Sequence, residues 1–445
     1  MASGLGLKTS EAEAMSAPIS LNRLSATEAA RQIADGKITS EALVTACLDR
    51  IAEREPVVKA WSALDSDIAL AQARACDRTE KRGPLHGVPV GVKDVLDTFD
   101  FPTQMGSPIY AGHKSFADAA CVAVLRRAGA VILGKTVTAE FAGIAPGATT
   151  NPLDPKRTPG GSSSGSGAAV ADFMVPAAFG TQTGGSILRP AAYCGVVGFK
   201  PSYGIVNRGG LKFAAESFDT IGMIARSVSD IDLFMNVLVG RPADHPPAAS
   251  GKLPRIGICR THLWHKALPE TVAAMEQTVA TLSAHTQVVD VVWPDRFAVL
   301  SEAREVINDY ERARSLAYEW ANFTSQISPQ MARCIERGWT TEYSAYTGML
   351  RAAQECREQL PKVFEDVDVL LTPAVNGEAP EGLDYTGEPA FQGIWTALHV
   401  PTITIPAHTG PNGLPVGLQL VAPRFADFEL LAYAKWIAAT IKRAD

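Results

Sequence analysis

The chain has 445 residues, 46 % hydrophobic and 20 % charged, with a net charge of −6. That is ample material for a large core, without the basic footprint of a nucleic-acid binder. No run of eighteen apolar residues occurs, and the first twenty residues carry Glu11 and Glu13 without an apolar stretch, so neither a membrane span nor a secretory signal is expected. Seven scattered cysteines (Cys47, Cys76, Cys121, Cys194, Cys259, Cys334, Cys356) contain no CxxC pair. They predict no disulfide framework or metal site, and a cytoplasmic setting fits them.

Helix and strand signals alternate along the chain, which predicts an α/β architecture in one domain over residues 1–445. Ser25-Ala26-Thr27-Glu28 has the capping-box pattern, and Thr39 opens a second helix in which Leu43, Cys47 and Ile51 recur every fourth residue. Val88, Val90 and Val92 alternate as in a strand and place Lys93 at its end, where sites of α/β proteins gather. Residues 121–128 read as a helix, 130–134 as a short buried strand, and 168–178 as a buried helix leading into a buried strand. The segments 255–259 and 288–293 read as strands around a helix marked by Val272, Met275, Val279 and Leu282, a βαβ unit. Residues 298–364 read as mainly helical, and 367–371, 402–405 and 416–421 as strands. Residues 241–254 and 376–389 read as loops.

Three segments carry chemistry: the turn Gly160-Gly161-Ser162-Ser163-Ser164-Gly165, the turn Thr183-Gly184-Gly185-Ser186, and Lys93 in Gly91-Val92-Lys93-Asp94. Glycine beside serine lets backbone N–H groups turn toward a bound oxygen while the hydroxyl stays accessible. Alone, the first turn is compatible with a Gly/Ser linker, but it joins no obvious domains and runs straight into the apolar segment 168–171. A phosphate loop would need a Gly-Lys-Ser/Thr ending and a preceding strand. A nucleophile elbow centred on Ser163, with His399 or His408 downstream, would also need that strand, whereas residues 151–159 hold three prolines. Alone, Lys93 reads equally as a surface lysine and Ser186 as part of a tight turn. Cys194 reads as a buried small hydrophobe, and the eight histidines show no ligand spacing beyond His262 and His265.

Taken together, four segments resemble the amidase signature family of serine hydrolases. They are Leu85-His86-Gly87-Val88-Pro89-Val90-Gly91-Val92-Lys93-Asp94, Ala128-Gly129-Ala130-Val131-Ile132-Leu133-Gly134-Lys135-Thr136, the stretch 151–166, and Gly180-Thr181-Gln182-Thr183-Gly184-Gly185-Ser186 onward to Ser202. The likeness covers residues 85–206, with weaker similarity in the helical start and in 400–423. It implies a large mixed central β-sheet flanked on both faces by α-helices. Residues 20–80 would form N-terminal helices, 81–240 the signature core, and 255–445 the rest of the same domain.

The resemblance also implies a triad of Ser186 as nucleophile, Ser162 as bridging serine after a cis peptide bond from Gly161, and Lys93 as base. Backbone N–H groups of Thr183, Gly184, Gly185 and Ser186 would form the oxyanion hole. The implied reaction is hydrolysis of a small-molecule amide by water without a cofactor; composition and histidine spacing add the expectation of no metal, nucleic-acid or membrane partner, and a homodimer is an open expectation. Lysine is charged at its ordinary pKa of about 10.4, so the site must depress that value for Lys93 to act as base.

Two departures bear on specificity. Many family members carry Thr-Asp-Thr before the second glycine pair and an arginine two residues after the nucleophile, whereas here Gln182 and Leu188 occupy those places and Arg189 is third. Arg189 is expected either to clamp a substrate carboxylate or carbonyl, or to serve as a structural hydrogen-bonder. Met105, Phe141, Tyr346, Tyr385, Phe391 and Trp395 are candidates for an apolar pocket, with core or surface packing the plainer reading of each alone, and Gln182 is a candidate for a substrate contact. Primary amides, aryl amides, carbamates and small dicarboxylic monoamides all remain open as substrates. The alternatives are a glutaminase-type A subunit of a tRNA-dependent amidotransferase, which Gln182 and Leu188 disfavour, and a nucleotide- or phosphate-binding protein using the Gly/Ser turn.

Overall fold

The computed structural model describes residues 20–242 and 252–442. Among these, eleven strands form a single sheet: Trp61–Leu64 (β1), Pro89–Lys93 (β2), Val131–Thr136 (β3), Ala177–Gln182 (β4), Val197–Lys200 (β5), Thr220–Ala225 (β6), Ile256–Ile258 (β7), Val288–Asp290 (β8), Val369–Pro373 (β9), Thr402–Thr409 (β10) and Pro415–Val421 (β11). Their spatial order is β1-β3-β2-β4-β6-β5-β10-β11-β9-β7-β8. The sheet is mixed. Strand β2 runs parallel to β3 and β4, β6 is antiparallel to β4 and β5, and β7 is parallel to β8 and β9.

Both faces are covered, and the pleat explains how. Successive strand residues point to opposite sides. Phe179 and Met223 thus enter a core with the helices Ala120–Arg127, Val228–Leu238 and Asp427–Ile441, while Ala178 and Ile224 pack with the N-terminal helices on the other face. Leu370 and Val421 enter a third cluster on that second side, against the helices Val299–Ser315 and Ala390–Ala397. The opening helical pair has the expected caps: Ser25 and Glu28 close a full capping box, and Thr39 accepts from the Ala42 N–H.

The expected elements recur with adjusted ends. Strand β7 is shorter than the segment 255–259, β8 stops three residues short of 293, and β10 runs on to Thr409. Strands β1, β5 and β6 and the helices Val228–Leu238 and Asp427–Ile441 were not foreseen from the sequence pattern. Of the expected loop at 241–254, residues 243–251 lie outside the described residues. No described helix is long and apolar enough to cross a membrane. All seven cysteines are free and buried.

Candidate active site

The parallel pairing of β2 with β4 brings their C-terminal ends to one edge of the sheet, so Lys93 and the turn that follows Gln182 emerge side by side. The first serine turn arrives at the same place. It leads into the buried helix Ser164–Ala171, whose Ser166 hydroxyl donates to the Phe179 carbonyl of β4 at 2.8 Å. Gly165 lies against the backbone of Ala60 and Val137 with no room for a side chain, and Gly160 has a positive φ of 80°. Both are backbone conditions that glycine meets most readily. The two turns are joined directly, for the Ser163 N–H donates to the Ser186 carbonyl at 3.2 Å.

Lys93 is fully buried, and its Nζ lies 2.7 Å from Ser162 Oγ, 2.8 Å from Thr181 Oγ1 and 3.3 Å from the Thr181 carbonyl. These three oxygens can take the three N–H bonds of an ammonium, and they also accommodate the neutral amine that burial favours. The two N–H bonds of the neutral amine can point at the Thr181 oxygens, leaving the lone pair for the Ser162 hydroxyl proton. The peptide bond between Gly161 and Ser162 is cis. Ser186 is 7 % exposed, and its Oγ has no hydrogen-bond partner among the described residues. Nor do the backbone N–H groups of Thr183, Gly184, Gly185 and Ser186 have an acceptor among them. Four consecutive free donors beside a hydroxyl are a set that can accept a negatively charged oxygen.

The family model for Amidase matches residues 42–431. The chain belongs to the amidase family. It is similar to the A subunit of the glutamyl-tRNA(Gln) amidotransferase of Chloroflexus aggregans, with 35 % identity over 92 % of this chain and 95 % of that protein. A crystal structure of an amidase superposes with a TM-score of 0.86 at 31 % identity, covering 94 % of this chain and 100 % of the other. The peptide amidase from Stenotrophomonas maltophilia does so with a TM-score of 0.79 at 28 % identity, over 94 % of this chain and 97 % of that one. The chain is an amidase-family hydrolase of carbon–nitrogen bonds.

In this amidase, burial holds the Lys93 amine well below its ordinary value near 10.5; the negative charge of Asp219 opposes the shift, and Arg189 and Arg312 reinforce it. Depression alone does not single Lys93 out. Burial also pushes Lys135 down to about 8 and Lys200 to about 7. Yet Lys135 has the Asp94 carboxylate at 3.4 Å, and Lys200 donates to the carbonyls of Pro201 and Val400. Of these three amines, only Lys93 touches a serine of the two turns.

Gln182 is buried, and its side chain binds the turn to its surroundings. Its Oε1 accepts from the N–H groups of Ile187 at 2.9 Å and Leu188 at 3.1 Å, and its Nε2 donates to Thr396 Oγ1 at 3.0 Å. The Thr396 hydroxyl in turn donates to the Gly184 carbonyl at 2.8 Å. Gln182 is thus engaged with the protein itself, where the sequence had made it a candidate substrate contact. Arg189 is 4 % exposed and donates through Nη2 to the Gly161 carbonyl at 2.6 Å and to Thr386 Oγ1 at 3.3 Å. Its Nε and Nη1 are buried without a partner.

Met105 and Phe141 meet beside the end of β2. The Met105 N–H donates to the Asp94 carbonyl at 2.9 Å, and the Phe141 N–H to the Met105 carbonyl at 2.8 Å. Both have left-handed backbones, φ 58° and 47°. Such a conformation is uncommon for large side chains and is held here by the surroundings, including the bond from Arg312 Nη1 to the Phe141 carbonyl at 3.2 Å.

Sequence reasoning missed Asp219, Thr396 and Arg312. Asp219 accepts from Thr183 Oγ1 at 2.5 Å and from the N–H groups of Ala214 and Ala215, and burial raises its carboxyl above the ordinary range. No spacing marks these residues in the chain. Among the described residues no cluster of His, Cys, Asp and Glu could hold a metal ion.

Proposed function

We propose that this amidase cleaves the linear amide bond of a small molecule through an acyl-enzyme, with Ser186 as nucleophile, Ser162 as proton relay and Lys93 as base. The observation that carries this reading is the contact of the buried Lys93 amine with Ser162 Oγ at 2.7 Å, beside a turn with four free N–H donors. Ser186 Oγ attacks the substrate carbonyl while its proton passes to Ser162, whose own proton passes to Lys93. The oxyanion rests on the N–H groups of Thr183 to Ser186, a contact worth about 3 to 4 kcal/mol per donor. As the carbon–nitrogen bond breaks, the relay returns a proton to the leaving amine. Water then attacks the ester along the same path and frees the acid and Ser186. Met105 and Phe141 line the apolar side of the substrate site in this reading. A single-domain cytoplasmic enzyme acting alone or as a homodimer is part of the same proposal.

Labelling with phenylmethanesulfonyl fluoride, read by intact mass beside turnover of an amide panel, tests it. One adduct on the wild type, lost with activity in Ser186→Ala, is the expected outcome. An adduct that persists in the variant moves the nucleophile to Ser162 or Ser163. Neither label nor turnover rejects the mechanism and leaves the phosphate-binding alternative.

We assign Arg189 to holding the Gly161 carbonyl, and thereby Ser162, in place. Arg189→Leu should then lower kcat about equally for neutral amides and for amides bearing a carboxylate. A selective loss on the carboxylated substrates would restore the clamp reading.

Similarity to the amidotransferase protein supports a second reading, in which the chain supplies ammonia to a partner and needs other subunits. Gln182 and Leu188 speak against it. Glutamine hydrolysis that appears only with such partners, and no turnover of other amides by the isolated chain, would establish it.

A further inference from the structure

A cavity of about 350 Å³ lies away from the serine turns, between the C-terminal part of the helix Tyr343–Gln359, the turn Leu360–Phe364 and the chain leaving the helix Ala390–Ala397. Leu360, Phe364, Leu398 and Val400 give it an apolar wall, and all four are buried. Two cations line it, Arg357 and Arg424. Arg357 donates through Nε to the Ala397 carbonyl at 2.8 Å and through Nη1 to Gln354 Oε1 at 3.4 Å, but its Nη2 is buried with no hydrogen-bond partner. No carboxylate pairs with either arginine among the described residues. Burial, and then the positive charge of Arg424, push the Arg357 guanidinium down to about 10. The one acid in the lining, Glu358, is exposed and takes the Gln354 amide at 2.9 Å.

A buried N–H of a cation without an acceptor is costly, and an anionic oxygen is the partner that relieves it best. The volume falls at the small end of ligand pockets, and the walls are apolar with few polar groups, as such sites require. We infer that this cavity binds a small molecule that joins one carboxylate to an apolar chain or ring, the carboxylate on Arg357 Nη2 and Arg424 and the apolar part against Leu360, Phe364 and Val400. The site shares no residue with the serine and lysine cluster. It does connect to it, because Arg357 holds the last residue of the helix whose Thr396 binds Gly184.

Calorimetric titration of the full chain with octanoate and, separately, with 1-octanol tests the assignment. Octanoate should bind one to one and at least about tenfold more tightly than octanol. Arg357→Met and Arg424→Met should each weaken octanoate several-fold or more, and Glu358→Gln should tighten it. A carboxylate could instead enter the amide site as a product mimic, so the titration is repeated after labelling with phenylmethanesulfonyl fluoride. Binding abolished by the label overturns the inference, as does octanoate affinity unchanged in both arginine variants or no saturation below about 10 mM. Should Arg357→Met fail to fold by circular dichroism, Arg424→Met, an exposed position, and the cavity-filling Leu360→Trp decide in its place. If the protein takes no serine label at all, competition by an amide substrate replaces it, so failure of the triad reading leaves this test intact.

Discussion

Lys93→Met is expected to cut kcat for amide hydrolysis by about 10²- to 10⁴-fold while making the folded protein more stable at neutral pH. The activity loss follows from removing the group proposed to receive the Ser162 proton. The stability gain follows from linkage. Burial sets the folded-state pKa of Lys93 well below its ordinary value near 10.5. Between those two values the unfolded chain binds a proton that the folded chain refuses, so wild-type stability rises with pH across that window. Methionine has no such penalty. Its advantage should grow as pH falls from about 10.5 and level off below the folded-state pKa of Lys93. Urea melts of both proteins from pH 6 to 10, beside rate profiles, read this directly. Parallel stability curves would mean that Lys93 is charged in the folded enzyme and cannot be the base.

Gln182→Leu should lower kcat by about 10²-fold and cost roughly 2 to 4 kcal/mol of stability. Leucine keeps much of the volume but leaves the N–H groups of Ile187 and Leu188 buried without their acceptor. It also removes the donor that orients Thr396, and with it the hydroxyl that fixes the Gly184 carbonyl. The rate loss arises because the free N–H groups of the turn depend on that carbonyl for their direction. Gln182→Glu separates the two effects. It retains an acceptor for both N–H groups but offers no donor to Thr396, so the Thr396 hydroxyl must choose between the new carboxylate and Gly184. Equilibrium denaturation and the rate of fluorophosphonate labelling measure stability and turn geometry independently. Wild-type values in both would show that the turn holds its shape without Gln182.

Much of the sheet was legible because its strands keep a simple code. The alternation of Val88, Val90 and Val92 located β2 and put Lys93 at its end, and the apolar stretch before Gln182 located β4. Strands β5 and β6 escaped that reading, and their glycines are not the reason, since Gly91 and Gly257 stand in β2 and β7, which were read as strands. In the fold Gly222 sits against the Phe199 carbonyl, where a side chain would not fit, so glycine serves close pairing of neighbouring strands. The two serine turns and the lysine were legible through their resemblance to a family, since spacing alone leaves a linker or a tight turn as good readings. What supports them was not. Thr396 lies more than two hundred residues from Gly184 in the chain, and Arg312 sits on a helix whose charges look like a solvated face. Only tertiary packing turns such residues inward, and Asp219 likewise gains its role from the Thr183 hydroxyl and two N–H groups brought to it.

The seven buried thiols, spread through the fold, amount to a set of built-in opening reporters. Cys121 lies in the core on one face of the sheet, Cys194 in the cluster on the other face that contains Leu188, and Cys259 in the cluster with Trp395. Burial raises each of these three thiols above its ordinary pKa, which keeps them protonated and unreactive in the closed protein. A thiol reagent therefore modifies each one at the rate at which its own region breathes. The order in which the three become modified would chart which layer of the molecule yields first, and whether the ground beneath the turn that carries Ser186 is the firmest part of it.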